Sequence, residues 1–570
     1  MNDGKKAHRE TLQDVPPPPR VLLPWLTVEV ALYGLLVLAA LAARLAGLGR
    51  WPLLESEANT ALAAWRAAWG LSWQPDYYSP LIFDLTLLLA ALTRASDAAV
   101  RLLPALVGAG LVALPYFARD ILGRQGALLA ALLLAFAPTW FYFSRTADGP
   151  ILTTAASALI LLAIQRYGGS QSPQHLRLAV VALALGLAAG PGLYTFLLAG
   201  ALWILLRWRA MATRGNLLLG TGVFILGATG LLLNLGGLGA AVGLAGHWAR
   251  SLAPASSGLP WSAYPLTLVT YESLTLALAL VGSIWGVARR EALDQFLSFW
   301  VGLALLLGIL LGHREPLWLV DVLLPLFILA ARGFQRLWDR LAPGAQPLDA
   351  LLILATLAFV ALGFLRLAAF SQTGQPPYLA QSRVVFGALI LIWAFYGIWG
   401  QRDVALRVAV VAFVVSAAVI TVRATSALAY QTGRDPRERM VFQPSSVAIR
   451  DLEALVTKLS SEQTGDPHTL DITYDPDLDP LLGWYLRDYP QARPVAGSAK
   501  RPQTTALITR ALEKSAWPQG YAGQRFRWQE VRVEQKLSLR EQLRWLFYRY
   551  PVGEDKSAEV HIWVRLPTAP

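Results

Sequence analysis

The chain has no cysteine among its 570 residues. That excludes disulfides, thiol catalysis, iron–sulfur clusters and Cys-ligated zinc. Its six histidines are scattered, which argues against a His-rich metal site. Charge is also scarce. Asp, Glu, Lys and Arg make up 15% of the residues, against about a quarter in an ordinary soluble protein. No GxGxxG or GxxxxGK[ST] loop is present to cradle a soluble nucleotide. There is no internal repeat beyond the hydrophobic periodicity.

What fills the chain is apolar: 55% hydrophobic residues and a mean hydropathy of +0.45. A soluble chain this long would split into several domains with charged surfaces, so the composition is that of a membrane protein. A spanning helix needs about 20 apolar residues. The first such run covers 21–45, behind a polar leader with Lys5, Lys6, Arg9, Arg20 and the prolines Pro16 to Pro19. The leader is too long for an ordinary signal peptide, so residues 1–20 read as a cytoplasmic tail. Further runs lie at 99–118, 126–143, 150–166, 177–190, 193–206, 216–237, 265–287, 295–312, 317–331, 348–370, 383–400 and 404–422. The expectation is thirteen transmembrane helices, with Gly190-Pro191-Gly192 as a turn between two short ones; one long kinked helix is the other reading.

The formal charge of +12 fits this topology better than a nucleic-acid footprint. With the N-terminus inside, Arg119, Arg124, Arg207, Arg209, Arg289, Arg290, Arg332, Arg336 and Arg402 fall in cytoplasmic loops, as the positive-inside rule asks. The opposite loops carry isolated Arg145, Arg250 and Arg314. Residues 79–92 are apolar but short and contain Asp84, which suits an interfacial helix. The stretch 47–98 is then one long extracytoplasmic loop, rich in boundary aromatics such as Trp51, Trp65, Trp69 and Tyr78. From 423 to 570 charge returns. A helix through about 460, strands near 470–474, 505–509, 526–533 and 560–566, and a helix at 537–548 predict a small extracytoplasmic α/β domain. The C-terminus is expected outside.

The informative residues are carboxylates at the membrane surface. Glu55 and Glu57 follow the first span at a loop-to-helix junction, where both can point into one cleft; acids at a helix start are also ordinary. Arg145 and Asp148 sit before the fourth span on the same face. They read either as a local ion pair or as part of a site. His313 and Arg314 occupy a third turn on that face, where an Arg suits a lipid phosphate or simply snorkels.

At these residues the chain resembles a known superfamily. The acidic motif after the first span is followed by "YYSPLIFDLTLLL", "AAVRLLPALVGAGLVALPYFARDILG" and "ALLLAFAPTWFYFSRTADGPIL". This order is similar to the membrane-embedded GT-C glycosyltransferases of the protein O-mannosyltransferase and lipid A aminoarabinose transferase type. "YPLTLVTYESL", "HREPLWLVDVLLPL" and "PLLGWYLRDYP" resemble, more narrowly, a prokaryotic flippase-activity-associated subfamily. The resemblance implies a polyprenyl-phosphate sugar donor taken from the bilayer, an acceptor hydroxyl on a lipid, glycan or protein, and inversion by a general base. The family's Asp-Glu pair falls on Ser56-Glu57, so its first acid is missing here, with Glu55 one position earlier. On this footing Glu57 is the expected base, Asp148 orients the acceptor or holds a divalent cation if one is used, and Arg145, His313 and Arg314 face the lipid phosphate. Arg145 would pair with Asp148 and leave Glu57 free to take a proton. The missing acid keeps open a non-catalytic partner in surface glycan assembly or lipid-linked sugar export. A transporter is less consistent, since few charges lie within the spans.

Overall fold

The computed structural model describes residues 27–73, 78–92, 95–148, 150–211, 213–253, 259–341, 346–399, 402–496, 504–510, 519–531, 538–549 and 556–566. The predicted N-terminal tail lies outside them.

Helices form in each of the thirteen apolar runs, though several are shorter than a full span. Among the described residues seven helices are long and apolar enough to cross a membrane: Val28–Leu45, Pro150–Ser170, Ala292–Leu310, Pro316–Leu341, Pro347–Thr373, Pro376–Ile398 and Arg402–Tyr430. Ala263–Tyr271 and Ser273–Ala288, bent by 97° at Glu272, make an eighth if counted as one span. The other runs are shorter because the sequence interrupts them. Gly123 and Ala137-Pro138 bound Arg124–Phe136, and Gly190-Pro191 divides Pro173–Ala189 from Gly192–Met211. Proline cannot donate the ladder hydrogen bond and biases its predecessor away from helix. Pro80–Leu92 is a 13-residue helix, too short to span upright.

Small residues set a close helix crossing. Between Ser273–Ala288 and Pro316–Leu341, a Cβ on Gly282 would meet the Leu329 carbonyl oxygen at 2.1 Å, and one on Gly333 would meet the Leu278 carbonyl oxygen at 2.4 Å. Backbone approach of this kind is how helices associate in lipid, where burying leucine gains little. Arg332 and Arg336 close the end of this bundle against Glu291 and the buried Asp294.

Helix Arg402–Tyr430 continues past the expected end near 423. Beyond it the chain folds into a sheet-containing region. β1 (Ile472–Tyr474), β2 (Arg493–Pro494), β3 (Ala506–Arg510), β4 (Tyr521–Val531) and β5 (Lys556–Arg565) form one sheet in the order β2-β1-β3-β5-β4. β1 runs parallel to β2 and β3; β5 is antiparallel to β3 and β4. The two-residue β2 carries no sequence signal of its own. The sheet and the Ala448–Thr464 helix share a core with the Glu55–Ala68 helix: Leu53, Ala58 and Leu62 pack with Leu452, Leu481 and Trp484. Asp97 ties the two parts, accepting from Arg450 at 2.9 Å, Trp484 Nε1 at 2.8 Å and the Tyr485 hydroxyl at 3.0 Å. Arg66 adds paired bonds to Asp479 at 3.1 and 3.3 Å.

Candidate active site

The first turn of Glu55–Ala68 carries two acids with opposite surroundings. Glu57 is fully buried. Its Oε2 accepts from the Leu54 N–H at 2.8 Å, which closes the helix start. Arg101 grips both of its oxygens, Nε to Oε1 at 2.8 Å and Nη2 to Oε2 at 2.5 Å. Arg434 lies 3.6 Å from Oε2, and the Ala147 N–H donates to Oε1 at 2.9 Å. Arg101 in turn donates to the carbonyls of Leu48, Trp51 and Pro52. Burial alone would raise the Glu57 carboxyl, but the Arg101 charge and hydrogen bond, with Arg434 behind, hold it below the ordinary range. Glu57 thus joins the 48–52 segment, the helix start and the 146–148 turn. It sits behind the wall of the cavity it was expected to face.

That cavity is about 620 Å³. Glu55, Ser56 and Asp148 line it on one side; His247, Arg250 and Ser251 line it from the Gly237–Ser251 helix; Glu315 and Trp318 come from a third turn. Met440, Phe442 and Gln443 complete the wall. This last segment is held by the sheet, with Ser446 N–H donating to the Trp528 carbonyl at 2.8 Å and Glu530 N–H to the Pro444 carbonyl at 3.1 Å. β4 also reaches the acids directly, since Gln529 Nε2 donates to Glu55 Oε2 at 2.5 Å.

Asp148 is half-buried in the turn between Pro138–Phe143 and Pro150–Ser170. Burial, then the nearby Glu57 charge, push its carboxyl up to about 7; the Ser56 hydroxyl bond and the charges of Arg434 and Arg101 pull the other way. Ser56, at the position of the family's missing acid, therefore donates to Asp148. The expected Arg145–Asp148 pair is absent. Arg145 turns toward the end of Val28–Leu45 and donates to the carbonyls of Ala43 at 2.9 Å, Arg44 at 2.8 Å, Ala46 at 2.8 Å and Gly47 at 3.1 Å, where a cation satisfies the last open carbonyls of a helix.

The other two residues expected at the lipid phosphate also stand outside the lining. His313 is buried, stacked on Trp318 with centroids 3.9 Å apart, and its Nε2 is 2.8 Å from Ser251 Oγ. Burial pushes it down to about 4, so at neutral pH it is an uncharged ring. Arg314 Nη1 donates to the Leu259 carbonyl at 2.9 Å. The cation beside the cavity, Arg250, comes instead from Gly237–Ser251. His247, Arg250 and Ser251 are spaced i, i+3, i+4, hence on one helical face. Arg250 is exposed and lines the cavity, while burial, then Arg250, lower the His247 pKa. The sequence signal for this trio was helical spacing in a stretch read as loop. Arg101 and Arg434, the partners of Glu57, carried no local signal at all.

No group of three or more His, Asp or Glu that could hold a metal ion occurs among the described residues. Glu55, Asp148 and Glu315, the carboxylates that line the cavity, do not form such a group.

Residues 77–232 match the family model of dolichyl-phosphate-mannose-protein mannosyltransferases. No curated protein matches the chain. The fold is similar to that of ArnT from Cupriavidus metallidurans, in a crystal structure bound to undecaprenyl phosphate: TM-score 0.54, 15% identity, 84% of this chain and 92% of that chain covered. Its apo state compares equally, at TM-score 0.54 over 85% and 93%. The Archaeoglobus fulgidus oligosaccharyltransferase gives a TM-score of 0.48 at 13% identity, covering 84% of this chain and 65% of that chain. The family-model match covers a stretch of the first half of the chain, and the likeness to ArnT is one of fold. The narrower likeness to a flippase-activity-associated group gains no support from these matches.

Proposed function

We propose that this multi-pass membrane protein transfers a sugar from a polyprenyl-phosphate donor to an acceptor hydroxyl on the extracytoplasmic face, with Asp148 as the base. The observation that carries the reading is Asp148 in the cavity wall, its carboxyl raised to about 7 by burial and by Glu57. A base of that strength is matched to neutral pH. The acceptor oxygen attacks the anomeric carbon as its proton passes to Asp148. The bond from that carbon to the lipid phosphate oxygen breaks on the opposite side, with inversion, and polyprenyl phosphate leaves. Arg250 is the cation placed to meet the charge that grows on the departing phosphate. Ser56 donates to Asp148 and orients it. Glu55, fixed by Gln529, is a second carboxylate for acceptor hydroxyls. Glu57 holds the turn that presents Asp148 and takes no proton. The ArnT structure bound to undecaprenyl phosphate supports a polyprenyl-phosphate donor.

The replacement of the family's first acid by Ser56 favours a second reading, a non-catalytic partner in glycan assembly or lipid-linked sugar export. The purified chain in lipid nanodiscs, given a polyprenyl-phosphate sugar and membrane extract as acceptor source, separates the two. Release of free polyprenyl phosphate, lost in Arg250→Gln, is the enzyme result. Donor binding with no release under any acceptor condition would overturn it.

A further inference from the structure

A second large groove shares no lining residue with the cavity at Asp148. It runs between two membrane-spanning helices, Pro347–Thr373 and Arg402–Tyr430, and the Leu539–Tyr548 helix of the C-terminal region closes it at one end. Its volume is about 630 Å³. The walls are carbon: Leu357, Ala361, Phe364, Val415 and Val419 from the spans, with Leu546 and Phe547 from above. The upper end is polar. There Arg423, Ser426, Gln431 and Tyr548 line a continuous opening that shares Val419, Arg423, Tyr548 and Arg549 with the groove below.

The two cations at this collar differ. Arg549 is neutralised: its Nη1 lies 3.1 Å from Glu438 Oε2, and its guanidinium stacks 4.1 Å over Trp545. Arg423 is exposed and makes no ion pair or hydrogen bond among the described residues. A single uncompensated positive charge stands over a long apolar slot, at the end of the spans that leads into the C-terminal region.

We propose that this groove binds an anionic glycerophospholipid of the surrounding leaflet, its acyl chain along the carbon walls and its phosphate on Arg423. The assignment rests on charge complementarity. A guanidinium pairs strongly with phosphate, hydroxyl and amide groups beside it suit the headgroup oxygens, and the walls are almost wholly carbon, with Ser416 the polar exception. The bound lipid would seat the Leu539–Tyr548 helix, which is amphipathic, exposes Leu539 and Leu546, and is tied to the spans through Arg540 bonds to the carbonyls of Ser371 at 3.2 Å and Gln372 at 2.7 Å. The site is separate from catalysis and stands whether or not the chain transfers sugar.

The test is native mass spectrometry of the full-length protein, delipidated and then equilibrated with equal amounts of phosphatidylglycerol and phosphatidylcholine. Wild type should retain phosphatidylglycerol about tenfold over phosphatidylcholine, whose choline cation offsets the phosphate charge that Arg423 meets, a difference of about 1.4 kcal/mol. Arg423→Gln should lose the preference and Arg423→Lys should keep it. Ala361→Trp, which fills the groove and leaves Arg423 in place, should lose both lipids. Arg366→Gln, on the same helix but outside the lining, should behave as wild type. A preference that survives Arg423→Gln, an absence of preference in wild type, or displacement of phosphatidylglycerol by equimolar undecaprenyl phosphate would overturn the assignment.

Discussion

Glu57, at a helix start, and Asp148, in the turn before a span, are neighbouring acids, and their surroundings give them different work. Glu57 is ionised and paired. Its carboxyl is held below the ordinary range, so its contribution to stability is present above that range and is lost as pH falls. Glu57→Gln leaves Arg101 buried without its counter-ion, which typically costs about 3–5 kcal/mol. The expected outcome is a large drop in thermal midpoint, with transfer lost in proportion to unfolded protein. A variant with wild-type stability and no transfer would return the base to position 57. Asp148 behaves in the opposite way. Its carboxyl is raised, so its ionisation weighs against the fold as pH rises through about 7. In the proposed reaction the same ionisation makes the base. The rate should therefore climb with pH with a midpoint near 7, read as kcat/KM; a flat profile from pH 5 to 9 would exclude it. The sequence made acids at span ends legible. It could not say which one faced the cavity. Successive helical residues point about 100° apart, and the choice was made by Arg101 and Arg434, far along the chain from Glu57.

Among elements, periodicity was legible and length was not. Every apolar run became a helix, because apolar composition in lipid demands internally satisfied backbone. Gly and Pro then cut several of them short, and Glu272 at the bend has one distant partner and one local one: Thr139 N–H donates to Glu272 Oε1 at 3.1 Å and Thr275 Oγ1 to Oε2 at 3.0 Å. The crossing at Gly282 and Gly333 gives a sharp prediction. Gly282→Leu places a side chain where the Leu329 carbonyl lies, and the protein should fail to accumulate as a monodisperse species in detergent. Gly302→Leu, on Ala292–Leu310 with open space around it, should be recovered as wild type. Equal recovery of both would show that the crossing is looser than described. The Gly237–Ser251 helix was hidden by its own composition, since glycine lowers helix propensity by about 1 kcal/mol per residue, and with it went Arg250 and His247.

At the scale of the whole molecule, the C-terminal region is part of the site. The predicted helices and most of its strands were readable from period and capping. That it would help shape the entrance was expected from its place on that face; that Met440, Phe442 and Gln443 would form the wall was not, because strand register and long-range pairing carry no local signature. Asp97 is the joint, with three donors converging on it. Asp97→Ala should speed proteolysis of the region after residue 440 and reduce transfer while the spans remain folded; unchanged cleavage and unchanged transfer together would show that the joint is dispensable.

The most direct test of the account is the transfer rate of Asp148→Asn in nanodiscs, measured as polyprenyl phosphate released from a polyprenyl-phosphate sugar. The substitution keeps shape and removes a carboxyl whose ionisation opposes folding above pH 7, so the protein should stay folded. A general base is worth about 10²–10⁴ in rate, and the predicted result is a loss of that size with donor binding intact. A folded Asp148→Asn protein that transfers within twofold of wild type would contradict the account.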